Sequence, residues 1–144
     1  MGDRCDFRKL IASKGMRATR LRLAVLGVMA GGQRAMTAHQ ILEGVRASGK
    51  VNRVTVYRIL DHFTRLGILR RLPMGGRGAR FELACEHHPP HPHFQCQKCG
   101  EVQCLDPVPI DRLWGELRGP LGNEAERIEI RVAGTCSRCR GVIS

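Results

Sequence analysis

Aromatic side chains are scarce in this chain: one Trp, one Tyr and four Phe make up 4% of its 144 residues. With so few large apolar groups and 17 glycines, the chain can bury one modest core or two small ones, and a metal would help wherever the apolar pattern thins. Long hydrophobic runs are missing as well. The stretch Leu21–Ala30 follows an arginine-rich segment, lacks a cleavage-like site and is too short to span a bilayer, so no membrane span and a cytoplasmic location are expected. The H-E-x-x-H pattern is absent and no Glu is placed as a general base beside an open metal position, which argues against a zinc hydrolase and for a protein that is not an enzyme.

Acidic residues are few, 13 against 24 Lys and Arg for a net charge of +11, and the imbalance is local. Residues 1–84 carry 17 basic against 5 acidic side chains, whereas residues 85–144 carry 7 against 8. A basic module joined to a near-neutral one points to binding of a phosphate polyanion by the first half.

That first half reads as helices followed by a hairpin. Leu21, Val25 and Val28 recur at helical spacing behind Thr19, a residue suited to cap the first turn. Thr37-Ala38-His39-Gln40 fits a capping box, and Ala38, Ile41, Leu42 and Val45 form a stripe that ends near Gly49. From Arg53 to Leu66, the residues Val56, Ile59, Leu60 and Phe63 line one face, with Gly67 at the expected left-handed cap. The opposite face offers Arg53, Tyr57 and Thr64, with Arg58 and Arg65 close by, as a helix entering a DNA groove requires; Tyr57 is equally suited to the rim of the core. Ile68–Leu72 and Ala79–Leu83 then flank a glycine-rich loop containing Arg77, a basic hairpin able to lie along the phosphate backbone as a wing.

The second half is organised by cysteine. Cys96-x-x-Cys99 and Cys136-x-x-Cys139 are two knuckles whose four thiolates complete a tetrahedral zinc site, leaving no open position and implying a structural role. Seven cysteines, an odd number in a reducing compartment, argue for metal ligation rather than a disulfide framework. Val108–Leu117 reads as a short helix, and Ile128, Ile130 and Val132 alternate as a half-buried strand does. Cys85, His91, His93 and Cys104 are candidates for a second site, because in a proline-interrupted, extended segment His91 and His93 point to one side; two thiolates and two imidazoles suit zinc. The other reading makes the histidines of this segment, including His87 and His88, solvated loop residues. His39 and His62 are read as surface residues, and Cys5 is the odd thiol with no role assigned.

Gly15-Met16-Arg17-Ala18-Thr19-Arg20-Leu21-Arg22, Val54-Thr55-Val56-Tyr57-Arg58-Ile59-Leu60 and His91-Pro92-His93-Phe94-Gln95-Cys96-Gln97-Lys98-Cys99-Gly100 together resemble the ferric uptake regulator family of metal-sensing bacterial repressors. The resemblance implies an α+β protein: a winged helix-turn-helix domain at 1–84, a metal-binding hinge at 85–93 and a zinc-stapled α/β dimerisation domain at 94–144. It further implies a homodimer that binds inverted-repeat operator DNA once metal is bound, with Tyr57 on bases and Arg17 and Arg58 on phosphate or in the minor groove. Ala35 and Cys104 stand where iron- and peroxide-sensing relatives tend to place a histidine and a carboxylate, so the chain is most similar to the zinc uptake regulator branch. A second, regulatory Zn2+ is therefore expected, ahead of Fe2+ or Mn2+. Glu82 is the competing fourth ligand by the same resemblance, and a third site is not expected, because Pro90, Pro92 and Ile128 fall at its ligand positions. The alternatives are an iron- or peroxide-responsive member of the family, or a thiol redox switch in which Cys85 and Cys104 pair.

Overall fold

The computed structural model describes residues 5–31, 35–72, 78–85, 90–121 and 128–141. Arg77, His87 and His88 lie outside the described residues. The chain forms two compact units, Met1–Pro89 and Pro90–Ser144, and the division falls within the segment 85–93.

The first unit holds four helices and a three-stranded sheet. Helix α1 (Phe7–Ser13) starts at Asp6, whose side chain accepts the Lys9 N–H, and buries Ile11. Helix α2 (Arg20–Gly31) begins where the Arg22 N–H reaches the Thr19 hydroxyl at 3.3 Å, as the threonine predicts. A two-residue strand β1 (Met36–Thr37) leads into α3 (Ala38–Arg46), whose capping box is complete: Thr37 accepts the Gln40 N–H and Gln40 accepts the Thr37 N–H. Helix α4 (Arg53–Arg65) is capped by Asn52 and buries Val56, Ile59, Leu60 and Phe63; Gly67 at φ 75° ends it. One cluster running from Ile11 through Val25, Leu26, Ile41, Leu60 and Phe63 to Phe81 and Leu83 is the core of this unit.

The hairpin strands β2 (Leu69–Leu72) and β3 (Arg80–Leu83) pair antiparallel, and β1 adds to the other edge of β3. The alternation in the sequence places Glu82 outward, but Glu82 is only 7% exposed. Its register partner Arg70 explains this, since the Arg70 Nε donates to Glu82 Oε1 at 2.8 Å and offsets the cost of burying the carboxylate.

The second unit is built on a sheet in the order β5-β4-β6, with β4 (His93–Cys96) central, β5 (Val102–Cys104) antiparallel to it and β6 (Arg131–Gly134) parallel. A parallel pair needs a crossover, and helix α5 (Ile110–Leu121) lies in that connection. The strand expected from Ile128 begins only at Arg131, and Val132 is 44% exposed rather than half-buried. Leu105, Val108, Leu113 and Leu117 are exposed too, so this unit leaves apolar surface uncovered in a single chain.

Candidate metal centres and DNA-binding surface

Each knuckle of the second unit is a tight turn closed by its own backbone. The Gly100 N–H donates to the Cys96 carbonyl at 2.9 Å, and the Arg140 N–H donates to the Cys136 carbonyl at 3.0 Å. Gly100 at φ 76° and Gly141 at φ 70° let the chain leave each turn in the left-handed region. Pairing of β6 with β4 brings the turns together, and the sulfurs of Cys96, Cys99, Cys136 and Cys139 all lie within 4.8 Å of one another. Cys99 Sγ and Cys136 Sγ are 3.8 Å apart. A tetrahedral ion with metal–sulfur bonds of about 2.3 Å requires sulfurs about 3.8 Å apart, so the cluster fits zinc.

Backbone dipoles prepare these sulfurs for negative charge. Cys96 Sγ accepts the N–H groups of Cys136 at 3.3 Å and Cys99 at 3.5 Å, which lower its thiol to about 6. The Cys136 thiol is lowered chiefly by the backbone N–H of Cys139, whereas Cys139, donating to Cys136 and Cys99, is raised to about 12. Arg138 reaches across from the second knuckle to Glu101 behind the first, and its charge is further held by the Cys136 and Cys99 sulfurs.

The second set of ligands begins on the same sheet. His93 is the register partner of Cys104, and the Leu105 N–H closes the pair of strands onto the Pro92 carbonyl at 2.9 Å. His91 and His93 stand on one side, with ring centroids 4.5 Å apart, and their ligand nitrogens lie within 4.8 Å of each other and of Cys104 Sγ. His93 is 6% exposed, His91 is half-buried and Cys104 is exposed. His93 lies buried on β4 rather than in a solvated loop, while His87 and His88 lie outside the described residues. Glu82 belongs to the first unit, buried on β3 against Arg70.

Cys85 requires a correction. Expected as a free thiolate ligand, it is bonded to Cys5 in a disulfide that spans 80 residues of sequence. A disulfide sulfur has no thiolate to offer a metal. The odd-cysteine argument missed the pair because a long-range bridge leaves no spacing signal. Neither Cys85 with Cys104 nor Cys5 alone is therefore the thiol arrangement found.

On the first unit, α4 presents Arg53, Val54, Thr55 and Arg58 to solvent. Tyr57 is half-buried against the core, and the Arg53 guanidinium lies 5.1 Å from its ring centroid, which are the contacts of a residue at the rim of the core. Arg17 is exposed just ahead of α2, and its carbonyl accepts the Arg22 Nη1 at 2.8 Å, which fixes that entry segment. Val54, named in the α4 motif but given no role there, is 55% exposed. The available signal was a valine standing off the stripe of Val56, Ile59, Leu60 and Phe63 at the first turn of a helix whose outer face is otherwise polar.

The model of the ferric uptake regulator family matches residues 13–132. The chain belongs to the ferric uptake regulator family. Ferric uptake regulation protein 1 of Mycolicibacterium fortuitum is 36% identical over 107 residues, a match that covers 74% of this chain and 65% of that relative. The solved ferric uptake regulator of Vibrio cholerae is 26% identical with a TM-score of 0.75, covering 91% of this chain and 100% of that one. A zinc uptake regulator complexed with zinc and DNA is 25% identical with a TM-score of 0.66, covering 94% and 91%. Members of this family are transcription regulators rather than enzymes, and they bind DNA as dimers. The winged helix-turn-helix reading of the first unit agrees with these structures. Among the described residues no helix is long and apolar enough to cross a membrane.

Proposed function

We propose that this chain is a cytoplasmic, zinc-responsive transcriptional repressor that binds an inverted-repeat operator as a homodimer when its sensory site is loaded. The observation that carries the reading is the grouping of His91, His93 and Cys104 apart from a complete four-cysteine cluster. A closed set of four thiolates serves a permanent structural ion, while an incomplete set can bind and release one. Zinc is assigned to Cys96, Cys99, Cys136 and Cys139, and a second zinc to His91, His93 and Cys104.

For the fourth sensory ligand the choice is Glu82 or Cys85, and the disulfide of Cys85 favours Glu82. Two imidazoles, a thiolate and a carboxylate still suit tetrahedral zinc. The carboxylate hardens the set, which supports Fe2+ or Mn2+ as the second reading, in keeping with relatives named for ferric uptake. A bound ion would supply a cross-link between the two domains across the hinge 85–93. With those ligands engaged, the hinge holds one angle and the two α4 helices of the dimer hold one separation, as two half-sites require.

At the operator, Tyr57 is placed on a base, Arg53, Arg58 and Arg17 on phosphates or in the minor groove, and Arg77 of the wing loop on the backbone. Val54 offers an apolar contact to a thymine methyl group. Exposed Leu113 and Leu117 on α5 and Val132 on β6 support dimerisation through the second unit. The test is anisotropy of a labelled operator with protein carrying only structural zinc and with protein carrying both ions. Loading the sensory site is expected to tighten binding about a hundredfold. Equal affinities would sink the switch.

A further inference from the structure

The four-cysteine cluster and the histidine-flanked Cys104 use five of the seven cysteines, and the other two are joined to each other. Cys5 is half-exposed and lies immediately before the cap of α1; Cys85 is buried and lies two residues beyond β3. Packing of α1 onto the core through Ile11 carries Cys5 to Cys85, with Cα atoms 7.0 Å apart. Both sulfurs belong to the first unit, and neither is in the four-cysteine cluster.

We infer that Cys5 and Cys85 form a reversible dithiol–disulfide site that responds to peroxides. A partly exposed cysteine backed by a buried one that resolves it is the arrangement a two-step oxidation needs. The Cys5 thiolate attacks one oxygen of hydrogen peroxide, the O–O bond breaks and hydroxide leaves, giving a sulfenic acid. Cys85 then attacks that sulfur, the S–O bond breaks and water leaves. Two thiols and one peroxide become one disulfide and two waters, with two electrons passing to the peroxide. A dithiol reductant reverses the change by exchange at Cys5, the less buried of the two residues.

Oxidation anchors the start of the hinge segment to α1 and removes the Cys85 thiolate; reduction returns that thiolate three residues beyond Glu82 and six before His91. Whether the thiolate then joins the second metal set rests on the metal-sensing reading, whereas the dithiol chemistry does not.

The experiment takes the full-length chain, reduced and carrying zinc, adds one equivalent of hydrogen peroxide and maps thiols by differential alkylation and peptide mass. Expected is a Cys5–Cys85 cross-linked peptide, with zinc retained by the four-cysteine cluster and both thiols recovered after dithiothreitol. Cys5→Ala should abolish the cross-link while leaving fold and zinc content unchanged. A Cys85–Cys104 link, a Cys85 that stays alkylatable after peroxide, or a bridge that survives the reductant in the folded protein each overturns the site. Cobalt bound at the second set separates the two readings. A stronger thiolate-to-cobalt absorption in the reduced form supports Cys85 as a ligand there. If the second set binds no cobalt in either form while the cross-link still forms and reverses, the sensing reading fails and the dithiol site stands.

Discussion

Arg58 and Tyr57 are adjacent on α4 and differ in what they can read. Arg58 is exposed and carries a charge, so Arg58→Ala is expected to weaken operator binding across sequences and to reduce the salt slope by about 1. Tyr57→Phe keeps the ring packed against the core and removes only the hydroxyl, so it should alter sequence preference with little change in salt slope. Binding isotherms over a salt series on matched and mismatched operators check both; unchanged preference for Tyr57→Phe assigns the residue to packing. At this scale the sequence was legible where chemistry is local. The four knuckle cysteines and the pair His91 and His93 declare themselves by spacing. Glu82 does not, because its burial depends on Arg70 across a strand pair, and Cys85 does not, because its partner is 80 residues away.

The helices α2, α3 and α4 were readable because a 3.6-residue apolar stripe and a capping residue coincide at each. Helix α1 was not, since a seven-residue helix with one fully buried side chain, Ile11, has too short a stripe to register. Strand β1 is two residues long and exists only through its pairing with β3. The displaced start of β6 has a similar cause, as its partner β4 decides which residues join the ladder. The capping box of α3 satisfies two otherwise orphaned N–H groups, so Thr37→Ala is expected to cost about 1 kcal/mol in denaturant unfolding of the first unit. A loss near zero would show that water replaces the cap.

The two units are stabilised by different means. The first has a contiguous core from Ile11 to Leu83, whereas the buried apolar groups among the described residues of the second are Pro92, Val102 and the sulfur-bearing Cys96 and Cys136. An ion held by the four cysteines would contribute on the order of 10 kcal/mol, as structural zinc does in small domains, more than so thin a core can replace. Cys136→Ser is therefore expected to release the structural ion and abolish amide protection in residues 90–141 while the first unit keeps its own cooperative transition. Metal analysis with hydrogen exchange checks this, and retained protection in the second unit would overturn it. The charge partition read from the sequence fits this division of labour, with the basic excess on the unit that has a core of its own.

The parallel pairing of β6 with β4 also sets an order of events during synthesis. Every element of the first unit is available once Cys85 has left the ribosome, and domains fold as units in the order they emerge. The second unit must wait for Cys139, because its central strand has one parallel neighbour and half of its thiolates only then. For the time needed to add some forty residues after Cys96, at about 5–20 residues per second, the first knuckle is a pair of uncommitted cysteines. Completion of the cluster is thus the last step in assembling the chain, after every element of the first unit has emerged.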